Sequence, residues 1–388
     1  MEFSFTEEQQ MIRDTAASFL AEVSDSESVR RAMATEAGYE DDLWFRIAEE
    51  MYWHAVHIPE DFGGLGLGYV ELVAMLEEMG KHLLCSPFYS TVGLGVNALR
   101  VAGTDQQQEK YLSQIAGEGV TATLAWTGAA GRWDASAIDT TYTLNEDGAV
   151  LDGRLRYVPD GHTAKLLIIA ARTKGSSGDA GVGLFIIPSD ADGVTRTWLP
   201  TMDQTRKQAE ISLSGVRVGA RDIMRDVGNA WPLLSQALDL ARIAIAADQM
   251  GGADQVLAAT VDYIQERKQF GRPIGSFQAM KHKAADMMLK AEAARSAVYF
   301  AACVADEFFG GRASGETLGE AASIAKAYCS DAYFYNAGCA IQMHGGIGFT
   351  WEHDMHLYFK RAKSTQQFLG DAAFHRERLS RQLLGDLT

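Results

Sequence analysis

From Thr6 to about Gly117 apolar residues recur every three or four positions, most clearly in VELVAMLEEMGKHLL (70–84), and this spacing predicts amphipathic helices. Thr6, followed by Glu8 and Gln9, carries the signature of a helix start. A glycine-rich loop, PEDFGGLGLG (59–68), interrupts the helices. From about Val120 to Arg221 the period shortens to β-rich runs, KLLIIAAR, GLFIIP and AEISLSGVRV, separated by the turn sequences NEDG, GSSGDAG and SDADG. From about Trp231 to Leu384 the helical period returns over long stretches, which suits a four-helix bundle. The pattern predicts a multidomain α+β protein: a helical N-terminal domain (1–118), a middle β-barrel or sandwich domain (119–228) and a C-terminal four-helix bundle (229–388). Helices and strands do not alternate, so a doubly wound nucleotide fold is excluded, and no internal repeat is visible.

Length and charge narrow the partners. A chain of 388 residues can bury a sizeable core. Its 51 Asp and Glu against 35 Lys and Arg leave a formal charge of −16, which repels nucleic acid and anionic lipid. No apolar run reaches the roughly 18–20 residues needed to span a bilayer, and the first residues, MEFSFTEEQQ, are acidic where a signal peptide is basic. The expectation is a soluble cytoplasmic protein. Cys85, Cys303, Cys329 and Cys339 are scattered without CxxC spacing, so they read as buried thiols, and no metal site is expected.

Two stretches carry candidate chemistry. In ERKQFGRPIGSFQ (266–278) a long helix ends on basic residues, turns at Gly271 and Pro273 and restarts near Ser276; a basic helix end is also an ordinary dipole partner. In QMHGGIGF (342–349) paired glycines let backbone approach a ligand and expose NH groups, which suits a pyrophosphate, although the same residues serve as a helix cap. Each signal is weak alone. Their occurrence in that order, about seventy residues apart on helices that would pack together, is far more specific.

With FTEEQQMIRD, PEDFGGLGLG, RKQFGRPIGSFQ, QMHGGIGF and the later KRAK in place, the chain resembles the acyl-CoA dehydrogenase family over nearly its whole length. The resemblance implies the same three domains, FAD as cofactor, and a tetramer built as a dimer of dimers, with homo- and hetero-oligomers both open. It implies that Arg267, Gln269 and Phe270, with Phe277 and Gln278 nearby, meet the pyrophosphate and adenine end of FAD from one subunit, and that Gln342, Gly345 and Gly346 meet it from the other. Trp126 and Thr127, in LAWTGAAGRWDAS, stand where the family borders the flavin, but the family's Glu-Pro pair is missing and Arg132 and Trp133 occupy its small-residue region. In YVPDG (157–161) Pro159 replaces a hydroxyl residue that binds flavin N5, and a proline offers no donor. An ordinary half-buried strand aromatic is an equal reading for Trp126, Trp133 and Tyr157.

The family removes the α-proton of an acyl-CoA thioester with a carboxylate while the β-hydride passes to flavin N5, and electrons leave to electron-transfer flavoprotein. The base is usually a Glu immediately before a Gly. Alignment on KRAK puts Leu369 at the Glu and Gly370 at the Gly. The family's minority position, on the first long bundle helix, is Ala241. Two readings remain: Asp371, two residues late, or Asp239 from the helix, acts as base; or the chain is the catalytically silent partner in an α2β2 acyl-CoA dehydrogenase of the steroid or dicarboxylic acyl-CoA type. Asp371 is equally placed to cap the helix that starts at AAFHRE, and His344 and His375 read as packed histidines as readily as flavin donors. Related flavin oxidases and monooxygenases are a further alternative.

Overall fold

The computed structural model describes residues 5–385, so the first four residues of the acidic N-terminal run lie outside it. The order along the chain is helices, strands, then helices, and packing divides it into two units: Met1–Arg30, Tyr69–Leu84 and Arg242–Thr388, and Arg31–Gly68 with Cys85–Ala241.

The first unit is helical. Its longer helices, numbered in chain order, are α1 (Glu7–Val23), α2 (Tyr69–Lys81), the part of α3 (Trp231–Glu266) from Arg242 onward, α4 (Gln278–Phe309), α5 (Gly315–His344), α6 (Met355–Gln367) and α7 (Ala372–Leu384). Thr6 caps α1 by accepting from the Gln9 amide while the Gln9 side chain accepts from the Thr6 amide, as the sequence pattern predicts. Two glycines let α2 and α3 cross backbone to backbone: a Cβ on Gly80 would run into the Asp248 carbonyl, and one on Gly251 into the Glu77 carbonyl. The crossing buries charge, which must be paired. Glu77, fully buried, is met by Arg295, by the Tyr299 hydroxyl at 2.6 Å and by Lys81 at 3.4 Å. Arg361, the arginine of KRAK, is also fully buried; it pairs with Asp248 at 3.4 Å and donates to the Leu84 carbonyl at 3.0 Å. The central helix is α5, packed on α4, α6 and α7.

The second unit is built on one curled, seven-stranded mixed sheet. Its strands are β1 (Ala122–Ala125), β2 (Thr141–Asn145), β3 (Gly148–Pro159), β4 (Leu166–Thr173), β5 (Val182–Pro188), β6 (Val194–Leu199) and β7 (Gln208–Gly219), in the order β1-β4-β2-β3-β7-β6, with β5 on the other edge of β4. Both β1 and β2 run parallel to β4, one against Leu166–Ile169 and the other against Arg172 and Thr173; the remaining pairs are antiparallel. KLLIIAAR, GLFIIP and AEISLSGVRV supply β4, β5 and β7, whose alternate residues Leu167, Ile169, Phe185 and Ile211 enter the core with Leu151 and Leu155. Register shifts in the β3–β7 ladder lie between Leu151 and Gly153 and between Leu155 and Val158, and the second puts Tyr157 at φ +59°. No helix is long and apolar enough to cross a membrane among the described residues. All four thiols are free, and Cys85, Cys329 and Cys339 are buried.

Candidate functional site

In the first unit, α3 ends at Glu266 and the chain turns through a small hairpin, β8 (Lys268–Gln269) and β9 (Arg272–Pro273). Arg267 and Gln269 are exposed. Phe270, at the hairpin tip with φ +53°, is 90% exposed, a rare position for a large aromatic in a free chain. Its ring meets Phe277 edge-on at 6.1 Å, and the Arg272 guanidinium lies 4.1 Å over Phe277. Gln278 opens α4 and points to solvent. At the end of α5, Gln342 is exposed and the chain enters a tight turn, Gly345–Phe349, with Gly345 at φ +65°. A Cβ on Gly345 or Gly346 would meet nothing, so this backbone is open to a ligand. Tyr263 stacks on His344 at 4.3 Å and its hydroxyl donates to the His344 carbonyl at 3.2 Å. This contact joins the end of α3, which leads into the hairpin, to the end of α5, which leads into the glycine turn. His344 donates from Nδ1 to the Ala340 carbonyl, and burial lowers its pKa, so it is a packed, neutral histidine. A guanidinium, a carboxamide, open glycine backbone and exposed phenyl rings are the donor set and stacking surface that the adenosine and pyrophosphate of FAD require.

The second unit holds the flavin-side candidates. Trp126 and Thr127 lie at the end of β1, both buried. The Thr127 hydroxyl donates to the Arg156 carbonyl at 3.0 Å and the Arg156 amide returns a bond to the Thr127 carbonyl at 2.8 Å, so that hydroxyl keeps acceptor capacity only. Trp126 packs between Trp133 (5.8 Å) and Trp231 (6.4 Å). Arg132 is exposed and reaches Ser136 at 3.4 Å. Pro159 ends β3, and its carbonyl accepts from Thr123 at 2.8 Å. The next residue, Asp160, stands at φ +49° with its carboxylate buried and accepting from Ser90 at 2.6 Å. Burial pushes its pKa up to about 6, against the pull of the Ser90 bond and the Arg206 charge.

The seat of the expected base lies in the first unit, between α6 and α7. Leu369 is fully buried, at φ +62°, and Gly370 follows at φ +100°. Asp371 is the N-cap of α7: its Oδ1 accepts from the Phe374 amide at 2.9 Å. The turn is fastened through its carbonyls. The Leu369 carbonyl accepts from His375 Nε2 at 3.0 Å and from Arg242 Nε at 3.3 Å. His375 is fully buried; burial, with Arg242 and Lys326 nearby, drives its pKa down, so it stays neutral with the proton on the nitrogen that donates. The Gly370 carbonyl accepts from Lys326 Nζ at 2.9 Å.

Lys326 and Arg242 escape the motif reading. One signal was available for Lys326: it falls in step with Leu318, Ala322, Cys329 and Tyr333 on the apolar stripe of α5, where a lysine is unexpected. Arg242 follows the empty position Ala241 and is likewise buried; an arginine three residues after Asp239 reads as an ordinary helix-surface ion pair, so its burial does not show in sequence.

The comparisons with known proteins agree with this architecture. The family model "Acyl-CoA dehydrogenase, C-terminal domain" matches residues 228–384, and "Acyl-CoA dehydrogenase, N-terminal domain" matches 6–118. The acyl-CoA dehydrogenase IpdE2 of Mycobacterium tuberculosis is 34% identical over 370 residues, covering 94% of this chain and 93% of that protein. Among solved structures, a chain in that of the electron transferring flavoprotein of Acidaminococcus fermentans superposes with a TM-score of 0.92 at 32% identity, over 100% of both chains. The ChsE4-ChsE5 complex from Mycobacterium tuberculosis gives 0.87 at 25% identity, again over 100% of both. On these matches and on the fold, the chain belongs to the acyl-CoA dehydrogenase family of FAD-dependent oxidoreductases acting on the CH-CH group of acyl-CoA thioesters.

Proposed function

We propose that this chain is an FAD-binding subunit of a heteromeric acyl-CoA dehydrogenase in which a companion chain supplies the carboxylate that removes the α-proton. The observation that carries this reading is the 368–371 turn. Leu369, which alignment on KRAK puts at the seat of the base, is buried, and the only carboxylate in the turn, Asp371, is engaged as a helix cap. Bringing Asp371 back to the seat would release that cap, worth about 1 kcal/mol, together with the bonds from His375, Arg242 and Lys326 to the Leu369 and Gly370 carbonyls. The loss is several times the cap alone.

Arg267, Gln269, Phe270, Phe277 and Gln278, with Gln342, Gly345 and Gly346, hold the adenosine and pyrophosphate end of FAD in this proposal, and Trp126 and Thr127 border its ring. When bound, FAD supplies the hydride acceptor. In this proposal electron-transfer flavoprotein is the electron acceptor and the assembly is a heterotetramer; similarity to a chain in the structure of an electron transferring flavoprotein supports the first, and similarity to the two-component ChsE4-ChsE5 complex supports a companion chain. The test is anaerobic mixing of the FAD-loaded chain with straight-chain, aromatic and polycyclic acyl-CoA thioesters. The chain alone should keep its oxidised flavin spectrum, and a co-purified companion should confer bleaching. Bleaching by the chain alone overturns the proposal, and its loss in Asp371→Asn would make Asp371 the base.

A further inference from the structure

The Lys326 ammonium is fully buried and ringed by four oxygens: Ser330 Oγ at 2.9 Å and the carbonyls of Gly370 at 2.9 Å, Thr365 at 3.0 Å and Gln366 at 3.3 Å. Thr365 and Gln366 belong to the last turn of α6, whose carbonyls have no partner inside their own helix. A cation there caps the helix and meets the negative end of its dipole. Gly370 is three residues beyond the end of that helix, so one ammonium joins the helix end to the far side of the turn and spans Leu369 between them. A single group therefore fixes both ends of the segment that carries residue 369.

We propose that Lys326 is a positioning residue for the acyl-CoA reaction: by clamping the end of α6 to the Gly370 carbonyl it sets where the side chain at position 369 stands. The proposal rests on Leu369 being the vacant seat of the base. A leucine at the seat has no chemistry to aim, so the clamp preserves a geometry whose reactive group is gone. Replacing Leu369 with glutamate would then place a carboxylate at a prearranged position.

Burial, then the Arg242 charge, brings the Lys326 pKa down to about 7, so the clamp itself titrates near neutrality. The charged and titratable groups around it are Arg242 of α3, Cys329 and Asp331 of α5, Asp371 at the start of α7, and His375 of α7. His375 stays neutral and burial keeps the Cys329 thiol protonated, so neither changes charge along with Lys326 near neutrality.

Two measurements test the clamp. The first is amide hydrogen exchange of the full chain at about pH 6, where the ammonium form predominates. Lys326→Met should speed exchange at Phe368 and Gly370 by about tenfold or more while α4 and the centre of α5 keep their protection. Lys326→Gln, which retains a donor, should do so less and serves if the methionine variant fails to fold. Unchanged exchange at Phe368 and Gly370, or loosening spread evenly through the bundle, overturns the proposal.

The second measurement uses the FAD-loaded chain and the same panel of acyl-CoA thioesters. Leu369→Glu should gain anaerobic bleaching with the panel member it binds, and adding Lys326→Gln should slow that bleaching about tenfold with half-saturation unchanged. Addition of Lys326→Gln without any slowing overturns the clamp's role. If wild-type chain already bleaches, the companion-base reading falls, and the exchange measurement still decides the clamp.

Discussion

Two turns depart from the family pattern, FLGD in the helical unit and YVPDG in the β unit, and they are held by opposite means. In FLGD the non-glycine residue at positive φ is Leu369, and buried donors on Lys326, Arg242 and His375 fasten the backbone carbonyls around it. In YVPDG the residues at positive φ are Tyr157 and Asp160, and the buried charge is the turn's own carboxylate, accepting from Ser90. Non-glycine residues in this region cost on the order of 1–2 kcal/mol each. Both turns therefore hold a costly backbone where the sequence departs from the family pattern. The comparison teaches that one costly turn is held by donors brought in from other helices and the other by a charge of its own.

The largest way to break the comparison is pH, because the two buried charges respond with opposite sign. Burial lowers the Lys326 pKa from 10.5 to about 7. The folded form then binds fewer protons than the unfolded one between those values, so stability rises with pH across that window and is lost as pH falls toward about 7; the full span is worth several kcal/mol. Asp160 is raised from 3.8 to about 6. Its contribution is present below about pH 4 and is lost as pH rises to about 6, on the order of 3 kcal/mol. In urea titrations at stepped pH, Lys326→Met should flatten the alkaline limb only and Asp160→Asn the acidic limb only. If either substitution flattens both limbs, the two charges are not independent and the contrast fails.

A smaller effect separates the glycines of the two turns. At Gly370, φ is +100° and a Cβ would run into the Phe374 ring and stand 3.0 Å from His375 Nε2. Gly370→Ala should cost on the order of 3 kcal/mol through backbone strain and crowding together. At Gly161 the backbone conformation is ordinary and the obstacles are Val158, with Cγ1 at 2.9 Å and Cβ at 3.0 Å, and Ile211 Cδ1 at 3.2 Å, so crowding is the whole cost. Gly161→Ala should cost about 1 kcal/mol. Urea midpoints of the two variants should keep that order.

The sequence made most of the scaffold legible because it is written in local patterns. Thr6 and Gln9 announced α1 through capping chemistry, and KLLIIAAR had the length and β-branched content of a buried strand. Alignment on KRAK points to Leu369 as the seat, and Arg361 itself serves the fold, buried against Asp248 and the carbonyl of Leu84. What stayed hidden was tertiary. Nothing near Lys326 in sequence reveals that carbonyls about 40 residues away close around it. The positive φ of Leu369 and Tyr157 contradicts the local preference of both residue types, and such conformations arise only where surrounding structure imposes them. The hairpin and the glycine turn show in sequence as motifs, but the contact of Tyr263 with His344 that joins the helix ends leading into them is tertiary.

The smallest effect sharpens the comparison by making the same substitution in both turns. Glycine relieves the positive-φ penalty at Leu369 and at Tyr157 alike, by about 1 kcal/mol, and adds a similar entropy to the unfolded chain at each. The backbone terms nearly cancel, so the difference between the variants reports what each side chain does. Leu369 is fully buried, and removing it forfeits a packed core residue, about 2–3 kcal/mol. Tyr157 is only half-buried, its ring reaching the Gly131 turn, where a Cβ would lie 3.4 Å from it. Tyr157→Gly should therefore fall within about 1 kcal/mol of the parent while Leu369→Gly loses clearly more. Equal losses would mean that Tyr157 is as much a core residue as Leu369, and that the YVPDG turn is held by its aromatic ring instead of by the buried carboxylate of Asp160.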